Sequence, residues 1–147
     1  MAKVSICVPT YNNASEVERL LQSVHRQNYT DYEVNISDDS TNEETAELIE
    51  RIRTEWSWQD KLHYIHNEKP LGHIYNWNAA IKMAAGEYIK IMFSDDWFTD
   101  SDSLGTFVSM LDEHPKANLA FSGSMQVLLD GQDIEQVKHL NKQVTEH

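Results

Sequence analysis

A chain of 147 residues, 40% of them hydrophobic, is long enough for one domain with a core and too short for two ordinary ones. Its formal net charge of −12 argues against binding to nucleic acid and against electrostatic attachment to anionic lipid. The single cysteine, Cys7, excludes a disulfide framework. Because no run approaches about 18 apolar residues, we expect no transmembrane segment and a soluble, cytoplasmic protein.

Strand and helix patterns alternate along the chain. Short β-branched or apolar runs predict five strands, at residues 3–9, 32–39, 62–67, 88–93 and 118–129. Apolar residues at helical spacing predict helices at residues 15–27, 41–55, 73–85 and 103–114. Two of these helices open with apparent capping boxes, Ser15–Glu18 and Thr41–Glu44. The alternation predicts an α/β fold, a Rossmann-like, doubly wound and mostly parallel sheet flanked by helices.

The predicted fourth strand, at residues 88–93, runs directly into two adjacent carboxylates. Gly86 before it reads as the C-cap of the preceding helix, and the apolar run indicates a strand buried on both faces. Such a strand delivers Asp95 and Asp96 to the carboxyl edge of the sheet, where open α/β folds bind ligands. Paired carboxylates at this edge favour a divalent cation that takes oxygen ligands.

Polar residues follow three of the predicted strands, at Thr10–Asn12, Asp38-Asp39 and Asp95-Asp96. Each group alone is a weak signal, since Asp-Asp after a strand also fits a turn followed by a helix cap. Their coincidence at one sheet edge favours a ligand site. The histidines show no zinc-site spacing, and the glycines form no phosphate-binding loop. Any phosphate would therefore bind through a metal.

Four blocks of the sequence together resemble a known family. They are residues 4–12, residues 34–40, the spacing Asn67…Gly72…Asn78, and residues 85–96. In this order they are similar to the nucleotide-sugar-binding half of glycosyltransferase family 2, over roughly residues 3–125. The resemblance implies a truncated GT-A fold, a UDP-sugar or related donor, a role in polysaccharide biosynthesis, and Mn²⁺ or Mg²⁺ as cofactor.

The resemblance also implies which residues bind the donor. The nucleotide-binding residues would be Pro9, Thr10, Tyr11, Asn12, Asp39, Asn78 and Asp95, and the metal-binding residue would be Asp96. Thr10 and Tyr11 would contact the base, Tyr11 by stacking, and Asp39 would accept a hydrogen bond from the base imide, which prefers uracil. Asp95 would face the ribose and Asp96 the metal that bridges the diphosphate.

The chain departs from the family in its second half, where an acceptor site and a carboxylate general base are expected. We expect a donor-binding domain at 1–130 and a tail at 131–147 that is a remnant of the acceptor half or a linker to it. The tail would be helical, with one face formed by Ile134, Val137, Leu140 and Val144. Its carboxylates, Asp130, Asp133 and Glu135, carry no motif that identifies the base.

These features predict the donor-binding domain of an inverting, metal-dependent glycosyltransferase that acts on an unknown acceptor. The alternative is a non-catalytic nucleotide-sugar-binding module that needs a partner, and a homodimer is also open. A phospho-accepting signalling domain would place its acidic pair after the first strand, where Pro9–Tyr11 stands here. A nucleotidyltransferase would need a glycine-rich N-terminal loop, which is absent.

Overall fold

The computed structural model describes residues 2–126 and 137–139. Its strands are β1 (Val4–Thr10), β2 (Tyr32–Asp38), β3 (Leu62–His66), β4 (Tyr88–Ile91), β5 (Ser124–Gln126) and β6 (Val137–His139). Its helices are α1 (Ala14–His25), α2 (Glu44–Trp56), α3 (His73–Lys82) and α4 (Ser103–Glu113). The chain divides into two compact units, residues 1–108 and 109–147, and each is described by itself.

The first unit contains a four-stranded parallel sheet in the order β3-β2-β1-β4. Val4 of β1 pairs with Tyr32 of β2 on one side and with Tyr88 of β4 on the other. The direction of strand addition therefore reverses between β1 and β4, and such a switch point opens a crevice at the carboxyl ends of the strands. The predicted doubly wound α/β fold is confirmed.

The hydrophobic core lies on one face of this sheet. Alternate residues of β1 and β2, including Ile6, Val8 and Ile36, are fully buried in one cluster with apolar residues of α1 and α2. Burial of each such side chain contributes roughly 1.5–3 kcal/mol, so helices and sheet stabilise each other. Every residue of β1 is buried, because it lies in the middle of a parallel sheet covered on both faces.

The other residues of these strands form a buried polar layer. Glu33 Oε1 accepts hydrogen bonds from Ser5 Oγ (2.7 Å), Asn35 Nδ2 (3.1 Å) and the backbone N–H of Ala85 (2.8 Å). Burial acts to raise the pKa of Glu33, but these hydrogen bonds outweigh it and hold the pKa below its usual value. Ser5 Oγ also accepts the N–H of Gly86 (2.8 Å), so the chain entering β4 is fixed against β1.

Burial of β4 on both faces is a wrong prediction. The strand ends at Ile91, and its exposed residues Ile89 (50%) and Ile91 (40%) alternate with half-buried Tyr88 and Lys90. In the described part of the chain β4 is the outer strand of the sheet, with β1 on one side only. An edge position is not visible in a short apolar run, because it depends on which other segments join the sheet.

The helix ends also differ from the predictions. Helix α1 begins at Ala14, so Ser15 lies inside it and donates to Glu16 instead of capping. Helix α2 begins at Glu44, and the backbone N–H of Thr41 donates to Asn12 Oδ1 (2.9 Å). Neither predicted capping box forms, because Ser15 bonds its neighbour Glu16 inside α1 and Thr41 bonds the loop after β1.

Gly86 is not a helix cap. Helix α3 ends at Lys82, short of the predicted end at residue 85, and its C-cap is Met83. A Cβ added to Gly86 would lie 2.8 Å from both the backbone nitrogen and Oγ of Ser5. The position requires glycine because two backbone segments approach closely there.

The second unit contains a short antiparallel pair, β5 with β6. Of the strand predicted at 118–129, residues 118–123 form no strand, and 127–129 lie outside the described residues. Val137 lies in β6 and not in the predicted tail helix, while Ile134, Leu140 and Val144 lie outside the described residues. Among the helices of the described part, none is long and apolar enough to cross a membrane.

Candidate functional site

A cavity of about 900 Å³ opens at the carboxyl ends of the parallel strands in the first unit. It is lined by Pro9, Thr10, Tyr11, Asn13, Glu16, Asp39, Pro70, Gly72, His73, Asn76, Trp77, Phe93, Ser94 and Asp95. These residues come from the end of β1, from the loops after β1, β2, β3 and β4, and from the N-terminal turns of α1 and α3. The cavity thus lies at the switch point, where the topology predicts a ligand site.

Asp39 supplies a buried carboxylate to the cavity wall. It is 3% exposed, and its Oδ1 accepts from Asn67 Nδ2 while its Oδ2 accepts from the backbone N–H of Gly72, both at 2.9 Å. Gly72 has a φ of 81°, a left-handed conformation that turns its N–H towards the carboxylate at little cost. Each carboxylate oxygen keeps a second lone pair with which it can accept from a ligand.

The neighbouring Asp38 has a different role. It is fully buried, its Oδ1 accepts from the N–H (2.8 Å) and the hydroxyl of Ser40, and its Oδ2 accepts from the hydroxyl of Tyr64 (2.8 Å). Burial and the hydrogen bond to Asp38 both raise the pKa of the Tyr64 phenol. The turn expected of an Asp-Asp pair is therefore made by Asp38, and Asp39 remains for the cavity.

An amide pair, Asn67 and Asn76, connects the ends of β1, β2 and β3 with the first turn of α3. Asn76 in α3 is 4% exposed, and its Nδ2 donates to the backbone carbonyl of Thr10 (3.0 Å). Asn67, after β3, donates from Nδ2 to Asn76 Oδ1 (3.3 Å) and to Ser37 Oγ (3.1 Å) as well as to Asp39. The Asn67 amide group therefore holds both the Asp39 carboxylate and the first turn of α3.

Asn76 was not among the residues predicted from the sequence. The predicted residue Asn78 lies two positions further along α3, is exposed, and is not part of the cavity lining. A signal was available, because Asn76 stands four residues before the buried Ala80 and so shares its inward helical face, whereas Asn78 does not.

The loop after β1 forms the rim of the cavity. Pro9 and Thr10 line it, and Tyr11 is 56% exposed there, so its ring is accessible to a planar ligand. Asn12 has a φ of 49° and binds the loop after β2, since its backbone N–H donates to Ser40 Oγ (2.8 Å). Asn12 therefore fixes the rim and is not itself part of the cavity lining.

Asp95 and Asp96 are exposed in the loop after β4, which is closed by a hydrogen bond from Asp96 N–H to the Phe93 carbonyl (2.9 Å). Asp95 lines the cavity and Asp96 does not. On the Asp96 side lies Lys90, whose pKa is lowered by burial, against the opposing effect of the Asp96 charge. The two carboxylates point into different surroundings although they are adjacent.

The loop after β4 that carries Asp95 and Asp96, called the acidic loop, suits a cation that is shared with a ligand. Within residues 2–126 and 137–139, no group of three or more His, Cys, Asp or Glu side chains could enclose a metal ion. Mg²⁺ and similar ions are commonly held by one or two carboxylates together with substrate phosphates and water. Asp95, which lies in the cavity lining, fits that arrangement, in which a ligand supplies part of the coordination.

The charges of the cavity lining also favour a cation shared with a ligand. Among the described residues, the lining carries the carboxylates of Glu16, Asp39 and Asp95 and no Lys or Arg. Of these described lining residues, His73 alone has a side chain with a basic nitrogen. An anionic ligand would need a cation to approach these carboxylates.

Solved structures of glycosyltransferases share this architecture. The structure of residues 1–349 of Staphylococcus aureus TarS in complex with UDP-GlcNAc matches with a TM-score of 0.68 and 31% identity, over 77% of this chain and 32% of TarS. The mannosyltransferase PcManGT of Pyrobaculum calidifontis, in complex with GDP-Man and Mn²⁺, matches with a TM-score of 0.67 and 27% identity, over 74% of this chain and 32% of that one.

Similar sequences carry related names. A β-1,3-glucosyltransferase of Campylobacter jejuni that acts on GalNAc(5)-diNAcBac-PP-undecaprenol is 25% identical over 97% of this chain and 47% of its own length. The abequosyltransferase RfbV of Salmonella typhimurium is 34% identical over 74% of this chain and 32% of its own. The chain thus spans less than half the length of these relatives. Residues 5–126 match the family model of glycosyl transferase family 2, and the chain belongs to that family.

Proposed function

We propose that the cavity binds a nucleotide-sugar donor, specifically a UDP-sugar, together with Mn²⁺ or Mg²⁺, as the donor half of an inverting glycosyltransferase. The observation that carries this proposal is the Asp39 carboxylate, held by Asn67 and Gly72 in the wall of a cavity at the switch point. The complexes of TarS with UDP and UDP-GlcNAc support it.

At the base end, Asp39 and Tyr11 would act together. The uracil imide N–H would donate to a free lone pair of Asp39, while cytosine carries no hydrogen at the same ring position. The exposed ring of Tyr11 would stack on the base, in the rim formed with Thr10. Because the carboxylate is fixed before the ligand arrives, little conformational entropy is lost on binding.

At the diphosphate end, Asp95 would face the ribose and Asp96 would hold the cation. A phosphate and a carboxylate about 4 Å apart repel by roughly 4 kcal/mol at an effective dielectric of about 20. Binding of the diphosphate should therefore depend on the metal. When bound, the cation supplies Lewis-acid stabilisation of the leaving nucleoside diphosphate.

A non-catalytic nucleotide-sugar-binding module is the second candidate, and the carboxylates of the cavity favour it. Transfer with inversion needs a base at the acceptor hydroxyl. Asp39 is engaged by two donors, and the Ser15 hydroxyl lowers the pKa of Glu16, which makes that carboxylate a weaker base. Asp130, Asp133 and Glu135 lie outside the described residues.

Calorimetric titration of UDP with and without Mn²⁺ tests donor binding. We expect binding to wild type in Mn²⁺, loss of the Mn²⁺ enhancement in Asp96→Asn, and wild-type behaviour in Asp60→Asn, an exposed aspartate outside the cavity lining. In Asp39→Asn the new amide would face a donor, Asn67 or Gly72. UDP affinity should fall at least about tenfold, the cost of one buried hydrogen-bonding mismatch.

Further outcomes test the proposal, and the last of them distinguishes the candidates. The preference for UDP over CDP should shrink in Asp39→Asn, because a neutral amide can donate to cytosine. Absence of UDP binding to wild type in Mn²⁺ would contradict the proposal itself. Hydrolysis of UDP-sugars by the chain, in which water takes the sugar and UDP leaves, supports a transferase, while binding without hydrolysis supports the module.

A further inference from the structure

Asn13 occupies the N-cap position of α1 but does not cap it. Its φ of −141° and ψ of 49° place it just before the helix, and its side chain makes no hydrogen bond to the first turn. Asparagine is among the preferred N-cap residues, and such a bond typically contributes about 1 kcal/mol. The Asn13 side chain therefore makes no capping contribution to the stability of α1, because its polar atoms are bound elsewhere.

The Asn13 amide connects the ends of β1 and β4 across the switch point. Its Oδ1 accepts from the Thr10 hydroxyl and from the backbone N–H of Tyr11 (3.3 Å). Its Nδ2 donates to Ser94 Oγ. Ser94 is 8% exposed and directly precedes Asp95. One side chain thus binds the rim of the cavity and the residue that leads into the acidic loop.

We infer that Asn13 is a positioning residue that places the acidic loop for the cation, through its hydrogen bond to Ser94. The inference rests on the proposed donor function and adds to it a residue that neither the predicted site nor the family match assigns. Asp95 and Asp96 are exposed, and the bond to Ser94 connects their loop to β1. Without it, the loop would have to be ordered when metal and diphosphate bind, which weakens binding.

This role differs measurably from a purely structural one. A bond that only supports the fold would change the unfolding midpoint and would weaken all ligands alike. A bond that places the acidic loop changes the factor by which Mn²⁺ strengthens UDP binding, and affects the metal-free binding of uridine much less. Both quantities can be measured on the same variants by calorimetry.

Four variants and a control make the test. Ser94→Ala removes the acceptor, Asn13→Ser removes the donor and keeps a residue able to cap α1, Ser94→Thr keeps the hydroxyl, and the fourth combines Asn13→Ser with Ser94→Ala. Asn42→Ser is the control, because Asn42 accepts from Glu44 N–H (3.2 Å) at the start of α2, outside the cavity lining.

We expect the Mn²⁺ enhancement of UDP affinity to fall about tenfold in Ser94→Ala and in Asn13→Ser, and no further in the double variant, because the Asn13–Ser94 bond is the one that both replacements remove. Asn13→Ser also loses the acceptor of Thr10 and Tyr11, so the comparison with uridine is made on Ser94→Ala, where uridine should weaken by a much smaller factor than UDP in Mn²⁺. Ser94→Thr and Asn42→Ser should keep the full enhancement, and the unfolding midpoint of Ser94→Ala should stay close to wild type.

The outcomes separate the inference from the function on which it rests. If wild type does not bind UDP in Mn²⁺, the proposed function fails and the inference fails with it. If wild type binds with enhancement, but Ser94→Ala and Asn13→Ser keep that enhancement or lose it additively, only the inference is overturned. Equal weakening of uridine and UDP in Ser94→Ala would also overturn it.

Discussion

Replacing Asn76 by aspartate tests whether the hydrogen bonds of this buried side chain hold the cavity wall together. Asn76 Nδ2 donates to the Thr10 carbonyl at 3.0 Å from a position that is 4% exposed. In Asn76→Asp, a carboxylate oxygen would face that carbonyl oxygen, with no donor in place of the lost amide. The opposite oxygen could still accept from Asn67, as Asn76 Oδ1 does now.

The expected cost depends on pH. A carboxyl buried in this way titrates with a pKa of roughly 7, against about 3.9 in the unfolded chain. Because the folded-state pKa is raised, the penalty is absent below about pH 4, grows as the pH rises, and is complete above about pH 7. At about 1.4 kcal/mol per tenfold change, the loss is roughly 1.5 kcal/mol at pH 5 and roughly 4 kcal/mol at pH 8.

Urea unfolding at pH 5 and pH 8 measures this difference, with Asn78→Asp as the matched control. Asn78 is exposed on the same helix, so its replacement should change the free energy of unfolding by less than about 0.5 kcal/mol at either pH. Relative to wild type, Asn76→Asp should lose about 2–3 kcal/mol more at pH 8 than at pH 5. Equal losses in both variants, or a loss in Asn76→Asp that does not change with pH, would contradict a buried, hydrogen-bonded role for Asn76.

Two further variants test the sheet. Gly86→Ala should destabilise by about 1–3 kcal/mol in urea unfolding, because its Cβ would lie 2.8 Å from Ser5 backbone, while Gly105→Ala in α4, with only a 3.6 Å contact, should be neutral or stabilising. Burial raises the pKa of the Cys7 thiol to about 11. The neutral thiol therefore contributes fully to the free energy of unfolding below about pH 8.5, and this contribution is lost as the pH rises towards 11. Wild type should therefore lose up to about 3 kcal/mol more than Cys7→Ala between pH 8.5 and 11, and equal losses would contradict this.

The order of strands and helices could be predicted because it rests on local patterns. Each buried strand carries β-branched residues, and each helix carries an apolar face, so alternation alone indicated a parallel, doubly wound sheet. Burial of β4 could not be predicted in the same way. The run from Tyr88 to Ile91 is apolar enough for a central strand, but its exposure depends on its place at the sheet edge.

The residues of the candidate site could likewise be predicted only where a local pattern places them. The strand-end residues Pro9, Thr10, Asp39 and Asp95 line one cavity, as expected from their positions at the carboxyl edge of a parallel sheet. Among the residues that hold them, Asn76 carried a signal in its place on the inward face of α3, but Asn13 and Asn67 could not be predicted, because their partners are distant along the chain. The Asn13–Ser94 bond, for example, joins residues 81 positions apart.

Competition between local capping and hydrogen bonds to distant residues explains why the predicted helix starts are wrong. Ser15 and Thr41 stand in good local capping patterns, which predict the helix start when nothing else binds the segment. Asn12 and Asn13 instead bind Thr41 and Ser94, so the chain enters α1 and α2 at other residues. Local capping contributes about 1 kcal/mol, and several tertiary hydrogen bonds together outweigh it.

Neutral amides are the right chemistry for holding carboxylates that must keep their charge. Asn13 and Asn76 each donate and accept, and Asn67 donates to several acceptors, so one side chain can connect two chain segments without adding charge. Lysine or arginine in their place would pair with Asp39 or Asp95 and compete with the cation for them. The proposed binding of an anionic diphosphate through a shared cation would need carboxylates that are held in place without a competing positive side chain, and within the described residues the amides would meet that need.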